Sequence, residues 1–194
     1  MRASLVLLIL GVGLHAAAQS FGDVRQQQLS TQQTGMIILG SWAVVNLISS
    51  PIFASRTSGP TRYFHQMNGF WNTVNLGLAG FSLLTIAKQN MDPSYNELLS
   101  EQLKLEKLLL FNAGLDIAYV AAGFYLRERS KNVVNNKDRF LGFGNSLLLQ
   151  GGFLFLFDVG FYLAVHQHYF DIIDNTRNLS LNFTSQGFGL TYKF

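Results

Sequence analysis

The chain of 194 residues has no cysteine, and that single absence removes several functions at once. Disulfides, thiolate metal sites, iron–sulfur clusters, a cysteine nucleophile and a lipoprotein anchor all require it. Charge is the second shortage. Asp, Glu, Lys and Arg supply 13% of the residues, about half of the ~25% usual in soluble domains. With 48% of the residues hydrophobic, so little charge points to a membrane. A net charge of +3 is too small and scattered for nucleic acid, and no basic run is interleaved with aromatics as a base-stacking platform requires. HExxH, GxSxG and a glycine-rich phosphate loop are all missing, so neither a catalytic residue nor a cofactor is assigned. Ser41, Ser49, Ser50, Ser82 and Ser146 lie in or near apolar runs, but their spacing gives none of them a His–Asp partner.

What is present begins with MRASLVLLILGVGLHAAAQ. A basic Arg2, an apolar core and Ala16-Ala17-Ala18 form the pattern of a cleaved signal peptide over residues 1–18. The alternative, an uncleaved membrane helix, is disfavoured because the core of about 10 residues falls short of the ~20 that a crossing needs. Residues 19–34, rich in glutamine, read as a polar, interfacial lead-in with too little apolar surface to pack alone.

Four apolar runs follow, and the second organises the rest. Residues 65–87, HQMNGFWNTVNLGLAGFSLLTIA, place His65, Asn68, Asn72 and Asn75 at steps of three, four and three, one polar stripe on a helix. An unpaired amide is costly in hydrocarbon, so the stripe should face protein. The first run, 35–54, carries Trp42, Asn46 and Ser49 on one face and is expected to end its regular part at Pro51. Gly40, Trp42, Val45, Asn46 and Leu47 echo Gly69, Trp71, Val74, Asn75 and Leu76, as a small inverted repeat would if both helices brought a Trp and an Asn to one seam. Asp92-Pro93 reads as the start of a long third helix, whose first turns hold Glu97, Glu101, Lys104, Glu106 and Lys107 above the membrane. Within its apolar part Asn112, Asp116, Tyr119 and Gly123 recur at four, three and four. In the fourth run Gln150, Asp158, Tyr162 and His166 share a face.

The expected fold class is an all-α membrane protein: a four-helix transmembrane bundle over 35–165, with helices at about 35–53, 64–87, 93–129 and 140–165. One long helix extends outside, and 166–194 form an extramembrane tail with a β-hairpin-like pattern, since Leu179, Leu181 and Phe183, then Phe188, Leu190, Tyr192 and Phe194, alternate around Ser185-Gln186-Gly187. A final aromatic strand also resembles the closing strand of an outer-membrane barrel, which makes the outer membrane the alternative location. Against a barrel, 108–126 and 147–157 are apolar on both parities, not alternating. Arg56, Arg62, Arg127, Arg129, Lys131, Lys137 and Arg139 crowd the first and third loops, which places those loops in the cytoplasm and both mature termini in the periplasm.

Asp116 and Asp158 sit at similar depth, roughly 12 and 11 Å below the outer ends of their helices at ~1.5 Å per residue. No Lys or Arg lies inside the apolar runs. An ionised carboxylate near the bilayer centre costs on the order of 3 kcal/mol, which favours a protonated acid, a shared proton or a bound cation. Two readings follow. In the preferred one the buried groups glue helices together in a non-enzymatic interaction or scaffold component. In the alternative, Asp116, Asp158, Tyr119, Tyr162 and His166 form the proton or cation path of a small oligomeric transporter. A surface metal on His166-x-His168 with Asp171 or Asp174 is set aside, because an HxH in a loop is ordinarily solvated. The expected partners are the lipid bilayer and a second copy or another membrane protein.

The set His65-x-x-Asn68-x-x-Trp71-Asn72-x-x-Asn75, Asn112-x-Gly114-Leu115-Asp116-x-x-Tyr119 and Leu149-Gln150-Gly151-Gly152-Phe153 with Phe157-Asp158 resembles a domain-of-unknown-function family of small four-helix membrane proteins from Gram-negative bacteria. The likeness implies a fold and a habitat, the inner membrane, and no activity.

Overall fold

Long runs poor in helix breakers dictate helices, and the computed structural model of the chain contains four: α1 (Arg2–Arg56), α2 (Gly59–Ile86), α3 (Tyr95–Lys131) and α4 (Lys137–Arg177). It describes residues 2–177, 179–184 and 187–192, with side chains over 21–173. The Ala16–Ala18 cleavage pattern and Asp174 therefore lie outside the residues whose side chains are described.

The helix ends depart from the sequence expectation for local reasons. Pro51 does not end α1, which continues to Arg56. A proline this close to a helix end forfeits one bond, the one to the Leu47 carbonyl, and its fixed φ remains helical. The lead-in joins α1 as helix because Val24, Arg25, Gln28 and Leu29 form a buried stripe. α2 starts at Gly59, at φ +57°, with a proline in its first turn, a position where a missing N–H costs nothing. The cap of α3 is Ser94 rather than Asp92: the Glu97 N–H donates to Ser94 Oγ at 3.4 Å and the Ser94 N–H to Glu97 Oε2 at 3.0 Å, a reciprocal capping box. Asp92 instead closes a turn, its N–H donating to Asn90 Oδ1 at 3.0 Å. α4 runs past 165 to Arg177 because Val165, His168 and Ile172 continue its buried face. Beyond it β1 (Leu179–Thr184) and β2 (Gly187–Tyr192) pair antiparallel, with Leu179 opposite Tyr192.

α4 is the helix against which each of the other three packs, and α1 pairs with α2. The closest approaches run through glycine. A Cβ on Gly123 would lie 2.9 Å from the Gly144 carbonyl oxygen, and one on Gly144 would lie 2.8 Å from that of Gly123, so α3 and α4 touch backbone to backbone. Gly142 likewise lets α4 onto the start of α2, where a Cβ would meet the Phe64 nitrogen at 2.7 Å. The packing is inverted relative to a water-soluble domain. Phe81 and Leu156 are 72% and 73% exposed, whereas Asn72 and Ser146 are fully buried. An apolar exterior around a polar interior suits a lipid solvent.

α1 (over Phe21–Arg56), α3 and α4 (over Lys137–Ile173) are long and apolar enough to cross a membrane. α2 has the length, at 28 residues, but is not among those three, and Asn68, Asn72 and Asn75 lie along it. Those three side chains are buried while its outer face presents Phe70, Leu78, Phe81 and Leu84.

Candidate functional site

The inward-facing polar groups fall into three layers along the bundle. The innermost is a chain of amides. Gln150 on α4 accepts from Trp42 Nε1 at 3.2 Å and donates to Asn68 Oδ1. Asn68 on α2 donates in turn to Asn46 Oδ1 at 2.5 Å and Ser50 Oγ at 3.2 Å on α1. Asn46 and Asn72 each donate at 2.8 Å to the backbone carbonyl four residues before, those of Trp42 and Asn68. Asn75 donates to Asn72 Oδ1 at 3.4 Å. The i, i+3 and i+4 spacing lets one helix face deliver three asparagines to this seam. His65, at the foot of the stripe, is only half-buried and packs on the Phe53 ring at 5.2 Å; it takes no part in the amide chain.

The middle layer is the acid pair. Asp116 on α3 and Asp158 on α4 are 3% and 7% exposed, and their carboxyl groups come close enough to act on each other. They line a cavity of about 230 Å³ together with Asn75, Asn112, Trp71 and Tyr119. Asp116 Oδ2 and Trp71 Nε1 are both buried without a hydrogen-bond partner. A strong acceptor and a strong donor thus stand unanswered around one small space. No Lys, Arg or His is among its lining residues. Gly151 helps set this geometry, since it lets α4 approach the Asp116 carbonyl, which a Cβ would meet at 3.0 Å.

The outer layer joins His166 and Tyr162 to residues that local composition does not single out. Arg25, 1% exposed, donates to Glu101 at 2.6 Å and to Gln89 at 3.0 Å. Gln28 Nε2 donates to Gln102 Oε1 at 2.8 Å, and Gln102 Nε2 donates to Glu106 Oε1 at 2.8 Å and to the Val165 carbonyl at 2.6 Å. Glu106 in turn lies 3.2 Å from His166 Nδ1, and the His166 ring stacks on Tyr162 at 5.3 Å. Leu98, Gln102, Glu106, Leu109, Ala113 and Asp116 are all buried on α3. Their steps of four, four, three, four and three are the signal that finds this layer.

Tyr162 and His166 therefore belong to the outer layer, while Tyr119 joins the acids and packs edgewise on Trp71 at 4.8 Å. An apolar cluster of Leu109, Phe161 and Val165 separates the two groups. The echoed Trp–Asn pairs do not meet at equivalent places: Trp42 stacks on Phe153 at 3.9 Å, whereas Trp71 turns to Tyr119. The HxH lies within α4, where residues two apart point away from each other. His166 turns to Glu106 on α3 and His168 to Thr31 on α1, at 2.8 Å. Among the described residues no three His, Asp or Glu side chains gather to hold a metal ion.

The model of a family described as a family of unknown function, DUF6992, matches residues 38–159. That span takes in the amide chain and the acid pair, and leaves out Arg25, Gln28, His166 and His168. No curated protein and no solved structure matches the chain.

Proposed function

We propose, from the premise that the chain belongs to the DUF6992 family, that it is a non-enzymatic, multi-pass membrane protein that takes up and passes on a proton, or a small cation in its place, at Asp116 and Asp158. One observation carries the reading: two buried carboxyl groups share a cavity that no basic side chain lines. Two carboxylates side by side in a low-dielectric interior repel each other, so the pair is stable only with a proton or cation between them. The unanswered Asp116 Oδ2 and Trp71 Nε1 support the same reading, since a water accepting from the indole and donating to the acid satisfies both and gives a proton a carrier in the cavity. The amide chain, whose main links are already made within the protein, serves as the structural clamp beneath.

In this proposal all four helices cross the inner membrane of a Gram-negative cell, α2 included, after cleavage at Ala18. The cationic loops around Arg56 and Arg62, and from Arg127 to Arg139, stay cytoplasmic. Exchange with the outer surface requires the layer of Leu109, Phe161 and Val165 to open, for it stands between the acid pair and Glu106.

The test is a pH-driven flux in proteoliposomes. Wild-type protein is expected to dissipate a proton gradient, and Asp116→Asn and Asp158→Asn to abolish the flux while inserting and unfolding like wild type. A wild-type protein without flux, or Asn variants that retain it, overturns the reading and leaves the acids as interhelical glue of a scaffold component.

A further inference from the structure

We infer that the groove between α1 and α4 holds one phospholipid with an amine-bearing, zwitterionic head. Two cavities lie end to end there. The lower, of about 390 Å³, has Ile38 on α1 and Leu156, Gly160 and Ala164 on α4 in its walls. The upper, of about 550 Å³, is lined by Asp23, Gln26, Gln27 and His168. Ser30 and Thr31 belong to both, so the two adjoin. The walls change from apolar to polar near Thr34, where the sequence of α1 itself passes from QQQLSTQQT to GMIILG. From Asp23 to Ile38 is about 23 Å at ~1.5 Å per residue, the reach of a head and much of one acyl chain. An occupant must therefore be amphiphilic along its length and must lie at the edge of the membrane.

The charge of the upper compartment selects the head. No Lys or Arg is among its lining residues, and Asp23 supplies a carboxylate, with Asp171 beside His168 at 3.5 Å. An ammonium group is attracted there and a net anionic head is not. His168 is 9% exposed and its Nδ1 has no hydrogen-bond partner. Its Nε2 is hydrogen-bonded with the Thr31 hydroxyl at 2.8 Å and its Nδ1 lies 3.5 Å from Asp171 Oδ2, so the ring is held between the two, and the Ser30 hydroxyl and the Gln26 and Gln27 amides are the groups that meet a phosphate oxygen. A second copy of the chain is the rival occupant, since Gly160 and Ala164 are spaced like a helix-packing pair. A transmembrane helix answers the apolar half alone and leaves the acid-lined compartment unmatched.

Gly160 gives a clean test, because it lines the groove and a Cβ there meets nothing within 4 Å, so a larger side chain starts out free of the protein and into the groove. The full chain, reconstituted in micelles with equal amounts of ethanolamine and glycerol phospholipids, is released in native mass spectrometry. Wild type is expected to retain one ethanolamine phospholipid, and Gly160→Phe to retain at least about tenfold less. Gly152→Phe, also into open space, is expected to retain it. Asp23→Asn, at an exposed position, is expected to erase the preference for ethanolamine over glycerol heads. The inference is overturned by wild type that retains no lipid, by preference for the glycerol head, by retention unchanged in Gly160→Phe, or by a lipid-free dimer that Gly160→Phe breaks. None of these outcomes depends on proton flux.

Discussion

Around Asn68, donors and acceptors from three helices answer one another in an unbroken chain from Trp42 to Ser50, whereas around Asp116, two helical turns away in the same interior, a carboxylate oxygen and an indole N–H face a cavity unanswered. Both layers are polar groups placed in a bundle core by the same helical spacing. The difference is chemical. An amide carries a donor and an acceptor on one planar group, so a set of amides can satisfy itself in a closed protein. A carboxylate only accepts, and two together need something brought in from outside. Satisfied layers hold helices in register, and unsatisfied ones are where a ligand or proton has business.

The comparison breaks most violently at the glycine that seats α4 on the start of α2, the two helices that carry Gln150 and Asn68. Gly142→Leu would drive a side chain into the backbone of α2 near Pro60 and Phe64; it is expected to cost at least about 3 kcal/mol in an unfolding titration in mixed micelles. Gly114→Leu, where a Cβ meets nothing within 4 Å, is expected to stay within about 0.5 kcal/mol of wild type. Equal losses at the two positions would remove the claim that α4 is seated by close backbone contact.

Next in size is Asn68→Ala. It orphans the Gln150 amide and the Asn46 carbonyl at once, and about 2 kcal/mol of destabilisation is expected by the same titration. A smaller cost is expected in the outer layer. Gln102→Leu conserves much of the volume and frees Gln28 and Glu106, but Glu106 keeps His166 at 3.2 Å, for a loss of about 1 kcal/mol. If Gln102→Leu proved costlier than Asn68→Ala, the inner layer would lose its rank as the clamp.

How legible these layers are in the sequence depends on what surrounds them. Asn68, Asn72 and Asn75 stand out because their neighbours are apolar, and the periodicity alone marks the face that is buried. Asp116 and Asp158 are conspicuous for the same reason. Arg25, Gln28, Gln102 and Glu106 are not, since among other Gln, Lys and Glu residues a buried polar stripe looks like a solvated one. Burial there is decided by the meeting of α1, α3 and α4, which local composition does not encode. The end of α4 is hidden similarly: HQHYFDII reads as a surface tail until Ile172 is seen packed with Val24 and Leu98. Pro51 misleads in the opposite sense, because a rule about helix interiors loses force within the last turns.

A small expected change in stability accompanies the largest in function, and that pairing tests the contrast between layers most sharply. Asp116→Asn keeps the shape and one acceptor oxygen of the side chain and adds a donor, which Asp158 can accept across the cavity. The substitution removes the repulsion between two carboxylates, so the unfolding free energy should change by less than about 1 kcal/mol, with either sign acceptable. Flux should nevertheless vanish, because an amide neither holds nor releases a proton over the working pH range. If the acids were glue, the reasoning would run the other way: stability would track the hydrogen bonds made, and no gradient-driven measurement would separate Asp116→Asn from wild type. Placing the same substitution beside Asn68→Ala in one titration and one flux assay sets the two layers against each other. Asn68→Ala is expected to lower stability while the surviving folded fraction retains flux, and Asp116→Asn to do the reverse.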